Sequence, residues 1–231
     1  MSFVRLLSGV LLAVCAVFTF AQTVSPVIVE YKVKADGRFA LTNNTLTPMA
    51  VTLEPRSFSI TSDGNGAYRT LDAGIHVQLS AMSARIDPGQ TYYVFYKAKA
   101  DRLPAWFTIY STFSSLQHTG SLDVRILLPH TVYIYPKNQA SNDVVKVTQA
   151  TFAASSNKVI CELLNNSADL ERVQEIRVIS KTKSATAAGF PMLPGGQRHV
   201  EVPWNESEPP TGIQFRLEHS TMNLPLATAG S

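Results

Sequence analysis

Short runs of β-branched and aromatic residues, each closed by a turn-former, recur along the whole chain and leave no room for an amphipathic helix. Val27 to Val33 ends at Asp36-Gly37, a hairpin signal, and Arg38 to Thr42 ends at Asn43-Asn44. Ala50 to Leu53 and Phe58 to Ile60 then run into Asp63-Gly64-Asn65-Gly66. His76 to Leu79, the run into Ile86, Thr91 to Lys97 and Trp106 to Phe113 continue the pattern. Later strands are expected at Val144 to Thr148, Lys158 to Leu164, Val173 to Ser180, Gln197 to Trp204 and Gln214 to His219. The chain reads as all-β.

The termini and composition bound the rest. Met-Ser-Phe-Val-Arg, an apolar run from Leu6 to Phe20 and then Ala21 have the order of a cleavable secretory signal peptide over residues 1–21. The run falls short of the roughly 20 apolar residues that span a bilayer, so stable membrane insertion is not expected. Removing 21 of the 231 residues leaves 210, large for one sandwich of roughly 100 residues and natural for two. Loss of Arg5 lowers the formal charge from +3 to +2, which gives no support to nucleic-acid binding. Cys161, the one cysteine beyond that segment, has no partner for an internal disulfide and reads as a core residue in Val-Ile-Cys-Glu-Leu-Leu.

Polar residues 137–142, opened by Pro136, read as a linker between a domain at 22–136 and a second at 143–226, with a tail at 227–231. The halves echo each other. Asn43-Asn44 and Asn165-Asn166 each follow a strand and precede a turn, and both halves later reach a Pro-Gly turn, Asp87-Pro88-Gly89-Gln90 and Leu193-Pro194-Gly195-Gly196. Two copies of one sandwich topology explain that order.

Chemistry-bearing motifs are thin. There is no nucleophile elbow, no His-Glu-x-x-His, no phosphate-cradling glycine loop and no cysteine pair for zinc, so neither enzyme activity nor a cofactor or metal is expected. His199 with Glu201 has a strand-neighbour spacing more typical of a solvated pair than of a metal site. Asn43, Asn165 and Asn205 stand in Asn-x-Ser/Thr sequons, which matter only in a glycosylating secretory path.

One strand stands apart. Leu122 to Pro136 alternates apolar Leu122, Val124 and Ile126 with charged Asp123 and Arg125, the pattern of a half-exposed strand, and Pro129 fits a sheet edge better than a centre, with an ordinary core strand as the alternative reading. Long edges template pairing with other chains, so an available one suggests a partner strand held along Leu122, Val124, Ile126 and Leu128.

With these features in place, several segments are similar to one family. They are Phe39 to Leu53 with its Asn-rich turn, Ala84 to Val94 with Asp-Pro-Gly, Leu103-Pro104 before Trp106 to Tyr110, Leu122 to Pro136, Leu164-Asn165-Asn166 and Phe190 to Gly195. The chain resembles the PapD-like periplasmic chaperones of bacterial pilus assembly. The resemblance implies two tandem immunoglobulin-like β-sandwiches set as an L or boomerang. It also implies a first domain that lends its last strand to an incomplete pilus subunit, with an outer-membrane usher as a further partner. On that pattern Leu122, Val124 and Ile126 fall on the residues inserted into the subunit. Ile28 and Thr131 fall where the family carries two cations that hold the subunit's terminal carboxylate, and Lys32, Lys34 or His130 stand nearby as substitutes. The connection Thr112 to Ser121 is short where many relatives have a long loop. The expected function is therefore a periplasmic, non-enzymatic chaperone that binds pilus-like or other secreted subunits by strand addition. A structural or adhesive tandem-sandwich protein of the envelope is the alternative.

Overall fold

A computed structural model describes residues 22–116, 124–138, 145–218 and 220–228, and every regular element among them is a β-strand. The expected signal peptide, Leu122, most of the expected linker and residues 229–231 lie outside them.

The first sandwich contains β1 (Thr23–Ser25), β2 (Ile28–Lys32), β3 (Ala35–Thr42), β4 (Met49–Ile60), β5 (Gly66–Thr70), β6 (Ile75–Leu79), β7 (Ser83–Ile86), β8 (Thr91–Ala100), β9 (Ala105–Ser115) and β10 (Arg125–Tyr135). One sheet has the order β1-β3-β8-β6; the other is β2-β10-β9-β4-β5, with β7 also on β4. Alternation drives the layering: on β8, Val94, Tyr96 and Ala98 point inward while Tyr93, Phe95 and Lys97 face out. Inward residues such as Phe39, Leu41, Phe107, Phe113, Val132 and Ile134 meet between the sheets as one buried cluster.

Two local expectations are corrected. Asp36-Gly37 does not turn a hairpin but lies within β3, and the chain reverses earlier, where Val33 takes a positive φ of 71° and Lys34 N–H donates to the Lys32 carbonyl at 2.8 Å. β2 and β3 also belong to different sheets, so the turn crosses the sandwich rather than joining neighbours. The runs Ala50 to Leu53 and Phe58 to Ile60 form one strand, β4, through Pro55. Pro55 is tolerated there because it falls between the stretch paired with β7 and the stretch paired with β5.

The second sandwich contains β11 (Val145–Ala153), β12 (Lys158–Asn165), β13 (Glu171–Ile179), β14 (Ser184–Met192), β15 (Gln197–Pro203), β16 (Gly212–Arg216), β17 (Thr221–Pro225) and β18 (Ala227–Thr228). Its sheets run β15-β12-β11-β18 and β14-β13-β16-β17. Trp204, Phe215, Leu163 and Val178 are among its fully enclosed side chains, and Cys161 is buried with them as expected. Burial pushes the Cys161 thiol up to about 12, which makes it a packing group at neutral pH. Ala227 and Thr228, expected in the tail, pair as β18 with β11.

The weak internal repeat proves to be one device built twice. Asn43 is fully buried; its amide donates to the carbonyls of Thr47 (2.8 Å) and Ile86 (2.9 Å), and its oxygen accepts from the Thr45 N–H (3.1 Å) and hydroxyl (2.6 Å). Asn165 does the same with the carbonyls of Asp169 (2.8 Å) and Met192 (3.0 Å) and with the Ser167 N–H (3.1 Å) and hydroxyl (2.9 Å). Ile86 and Met192 each precede the Pro-Gly turn, so the asparagine clasps the two turns of its domain together. Gly89 and Gly195 hold φ of 71° and 69° in those turns, a conformation that favours glycine. The first two sequons are thus structural, with the Thr or Ser hydroxyl bonded to the asparagine itself.

A third cluster, Phe58, Tyr133, Tyr135, Leu170 and Leu193, joins the sandwiches. At its edge Arg172 Nε donates to Glu30 on β2 (2.7 Å) while its guanidinium lies 5.6 Å above the Tyr133 ring. His199 N–H donates to the Ser62 carbonyl (2.7 Å), a backbone bond between the domains.

Candidate partner-strand edge

β10 is paired unequally along its length. It runs antiparallel to β9 from Arg125 to Ile134, but its other side meets parallel β2 only from Thr131 to Tyr135. Among the described residues no strand flanks that side from Arg125 to His130. The backbone parity follows from two bonds: Thr131 N–H donates to the Val27 carbonyl (2.7 Å), and Val33 N–H donates to the Tyr135 carbonyl (2.8 Å). Odd-numbered residues therefore turn their backbone groups toward the β2 side. The Leu127 N–H and the Leu127 and Pro129 carbonyls project from the open edge. Pro129 sits at a position whose missing N–H faces outward, so the ladder to β9 loses nothing.

The side chains grade from core to surface along the same strand. Even-numbered residues point between the sheets: His130, Val132 and Ile134 are fully buried, and Leu128 and Ile126 pack at the margin of the core. Val124, just before the strand, is 54% exposed. Val124, Ile126 and Leu128 thus form a continuous apolar row leaving the sandwich, as the alternation implied. Leu127, not singled out from the sequence, is 53% exposed on the opposite face. The parity of Pro129 was the available signal that odd positions face the open side.

The cations do not gather as expected. Thr131 and Ile28 are register partners across β10 and β2, so the two positions matched to the family's anchors do meet, but carry no charge. His130 is corrected from a cleft cation to a core residue. It stacks on Phe39 with centroids 4.4 Å apart, its Nδ1 lies 2.7 Å from the Pro26 carbonyl and its Nε2 lies 3.0 Å from the Tyr96 hydroxyl. Because a carbonyl only accepts, Nδ1 carries the proton, Nε2 accepts from Tyr96, and Tyr96 accepts from Tyr31 (3.0 Å). Burial holds the His130 pKa below its ordinary 6.5, against a smaller opposing effect of the Pro26 carbonyl, so the ring is neutral. Lys32 is exposed and lies four residues along β2 from Ile28, roughly 13 Å at about 3.3 Å per residue, and Lys34 is exposed beyond the end of β2.

Among the described residues no group of three or more His, Cys, Asp or Glu side chains could hold a metal. His199 Nδ1 instead pairs with Glu162 (2.5 Å), and its Nε2 lies 3.5 Å from Glu201, which also binds Lys158 (2.6 Å). What the edge offers is backbone donors and acceptors flanked by apolar side chains, the requirements for adding a strand.

No family model matches the sequence, and no curated protein matches it. Solved structures do match the fold. The YadV chaperone superposes with a TM-score of 0.54 at 11% identity, over 89% of this chain and 99% of that one. The class 5 fimbriae chaperone CfaA superposes with a TM-score of 0.52 at 11% identity, over 90% and 99%. A chain of the chaperone-tip adhesin complex of CFA/I fimbriae biogenesis does so with a TM-score of 0.50 at 11% identity, over 90% and 100%. The chain has the fold of the chaperone-usher fimbrial chaperones, two immunoglobulin-like β-sandwiches in tandem.

Proposed function

We propose that this protein is a periplasmic chaperone that holds a secreted, pilus-like subunit by donating the open half of β10 as a strand. The observation that carries the reading is the one-sided pairing of Ile126 to His130. Backbone hydrogen bonds to the open edge supply affinity, and Val124, Ile126 and Leu128, with Leu122 before them, select a groove that accepts alternate apolar residues. The fold shared with fimbrial chaperones supports the role, and the leader-like residues 1–21 support delivery to the periplasm. An outer-membrane usher is the further partner this role calls for. The action is non-enzymatic and needs no cofactor.

The test is co-purification from the native periplasm with and without Val124→Asp. A subunit that is retained by the natural protein and lost from the variant, while the variant's unfolding profile is unchanged, supports the assignment. Equal retention overturns it. A protein found instead as a component of the surface fibre itself is the outcome expected of the structural or adhesive alternative.

The uncharged Ile28 and Thr131 pair adds a second expectation. Binding rests on apolar insertion and backbone pairing, with little contribution from a terminal carboxylate. Amidating the client's C-terminus should change affinity by less than about 1.5 kcal/mol, the lower end for a charged hydrogen bond.

A further inference from the structure

We infer that the first domain has a second strand-accepting edge, β6, suited to an extended acidic segment of a partner protein and separate from β10. Among the described residues β6 is the last strand of its sheet and pairs with β8 alone. Its parity is fixed at both ends: Asp101 N–H donates to the Gly74 carbonyl (2.9 Å), and Ser80 N–H donates to the Phe95 carbonyl (2.8 Å). With no register break between them, even-numbered residues bond toward β8 and odd-numbered ones turn away. Ile75 N–H is used locally by the Asp72 carbonyl (2.9 Å), which leaves the amides and carbonyls of Val77 and Leu79 directed at the open side.

The surroundings define the occupant. A groove of about 570 Å³ lies across β6, its partner β8 and the start of β3, inboard of the open edge, and is lined by Leu71, Ile75, His76 and Val77 and by Lys34, Lys97 and Lys99, with Asp36 as its one acidic residue. A second depression continues past Lys97 and Gln78 to Ser80 and Phe95. Asp36 lies 3.8 Å from Lys97, leaving Lys34 and Lys99 unmatched by any acid that lines the groove. Beyond it, Phe95 and Tyr93 are about half exposed on the outer face, and the Arg38 guanidinium lies 5.2 Å over the Tyr93 ring. Positive potential of this kind favours an acidic partner and disfavours a basic one.

A fluorescent peptide alternating Glu and Val, titrated into the full protein and followed by anisotropy, tests this. The peptide should bind, should weaken as salt rises, and should lose about tenfold in affinity to the Lys97→Glu, Lys99→Glu double variant. A peptide alternating Lys and Val should bind far less, and N-methylation of alternate backbone nitrogens of the acidic peptide should abolish binding. Val124→Asp should leave affinity unchanged, which separates this edge from the client edge and makes the outcome independent of the chaperone assignment. Absence of binding, equal binding of the basic or N-methylated peptide, retained affinity in the double variant, or loss with Val124→Asp would each overturn the inference.

Discussion

The two sandwiches are built around the same clasp and end differently. Asn43 and Asn165 make equivalent bonds, yet the first domain closes with β10, 11 residues long and flanked by β2 over only its second half, whereas the second closes with the 5-residue β17. β17 pairs with β16 over its whole length on one side and, among the described residues, has no strand on the other, and the chain then crosses to pair β18 with β11. The clasp is therefore a property of the frame. An overhang is not confined to one domain, since β11 is flanked by β18 only at Thr151 and Phe152. What sets β10 apart is the apolar row that leaves the sandwich along it, and on the present reading that is where the first domain acquires a task that the second lacks.

The strongest challenge to this comparison is to remove each clasp in turn. Asn43→Ala or Asn165→Ala deletes the bonds described and leaves buried carbonyls without donors, at a cost of about 3 kcal/mol each. Urea unfolding followed through Trp106 in the first domain and Trp204 in the second should show similar losses. A several-fold difference would show that the two clasps are not equivalent. Within β10 the contrast is between its halves: Val132→Ala, in the doubly paired part, should cost about 2 kcal/mol, and Val124→Ala less than about 0.5. Equal costs would mean that Val124 is covered in the free protein.

Acidity should move the domains in opposite directions. His130 has a folded pKa below 6.5, so as pH falls through 6.5 the unfolded chain takes up a proton that the folded first domain resists, and stability is lost. His199 is the reverse case: its hydrogen bond to Glu162, helped by Glu201, raises its pKa, so that contribution is fully present below 6.5 and fades as pH rises through the raised value. Because His199 is well exposed, its effect is the smaller. Thermal unfolding at pH 7 and 5.5 should lower the first domain's transition, and His130→Gln should reduce that loss. The smallest effect is kinetic: Cys161 should react with a thiol reagent only as the second domain unfolds, and fast labelling of the native protein would contradict its enclosure.

Much of the frame was legible because β-branched runs and turn residues act locally. Thr91 to Lys97 and Lys158 to Leu164 appear almost as read, within β8 and β12. β14, Ser-Ala-Thr-Ala-Ala-Gly-Phe-Pro-Met, carries almost no strand propensity and exists because β13 templates it; a methyl group at Gly189 would collide with the Val173 carbonyl. Asp36-Gly37 misled for a related reason, since the reversal was set by which sheets β2 and β3 join, a long-range matter. At the candidate site the apolar row of β10 was readable from alternation. The enclosure of His130 was not, because it depends on Phe39 and Tyr96 from β3 and β8 and on the Pro26 carbonyl.

The point at which β2 joins β10 also acts as a ruler. On the proposed reading, a strand advancing along the open edge past Leu127 has backbone to grip as far as the Pro129 carbonyl and then meets β2 at Thr131. Going further means displacing β2, and β2 is tethered through Glu30 to Arg172 of the other domain. On that proposal, the length of client chain that can be zipped against β10 is capped by where β2 begins, whatever the length of the segment offered.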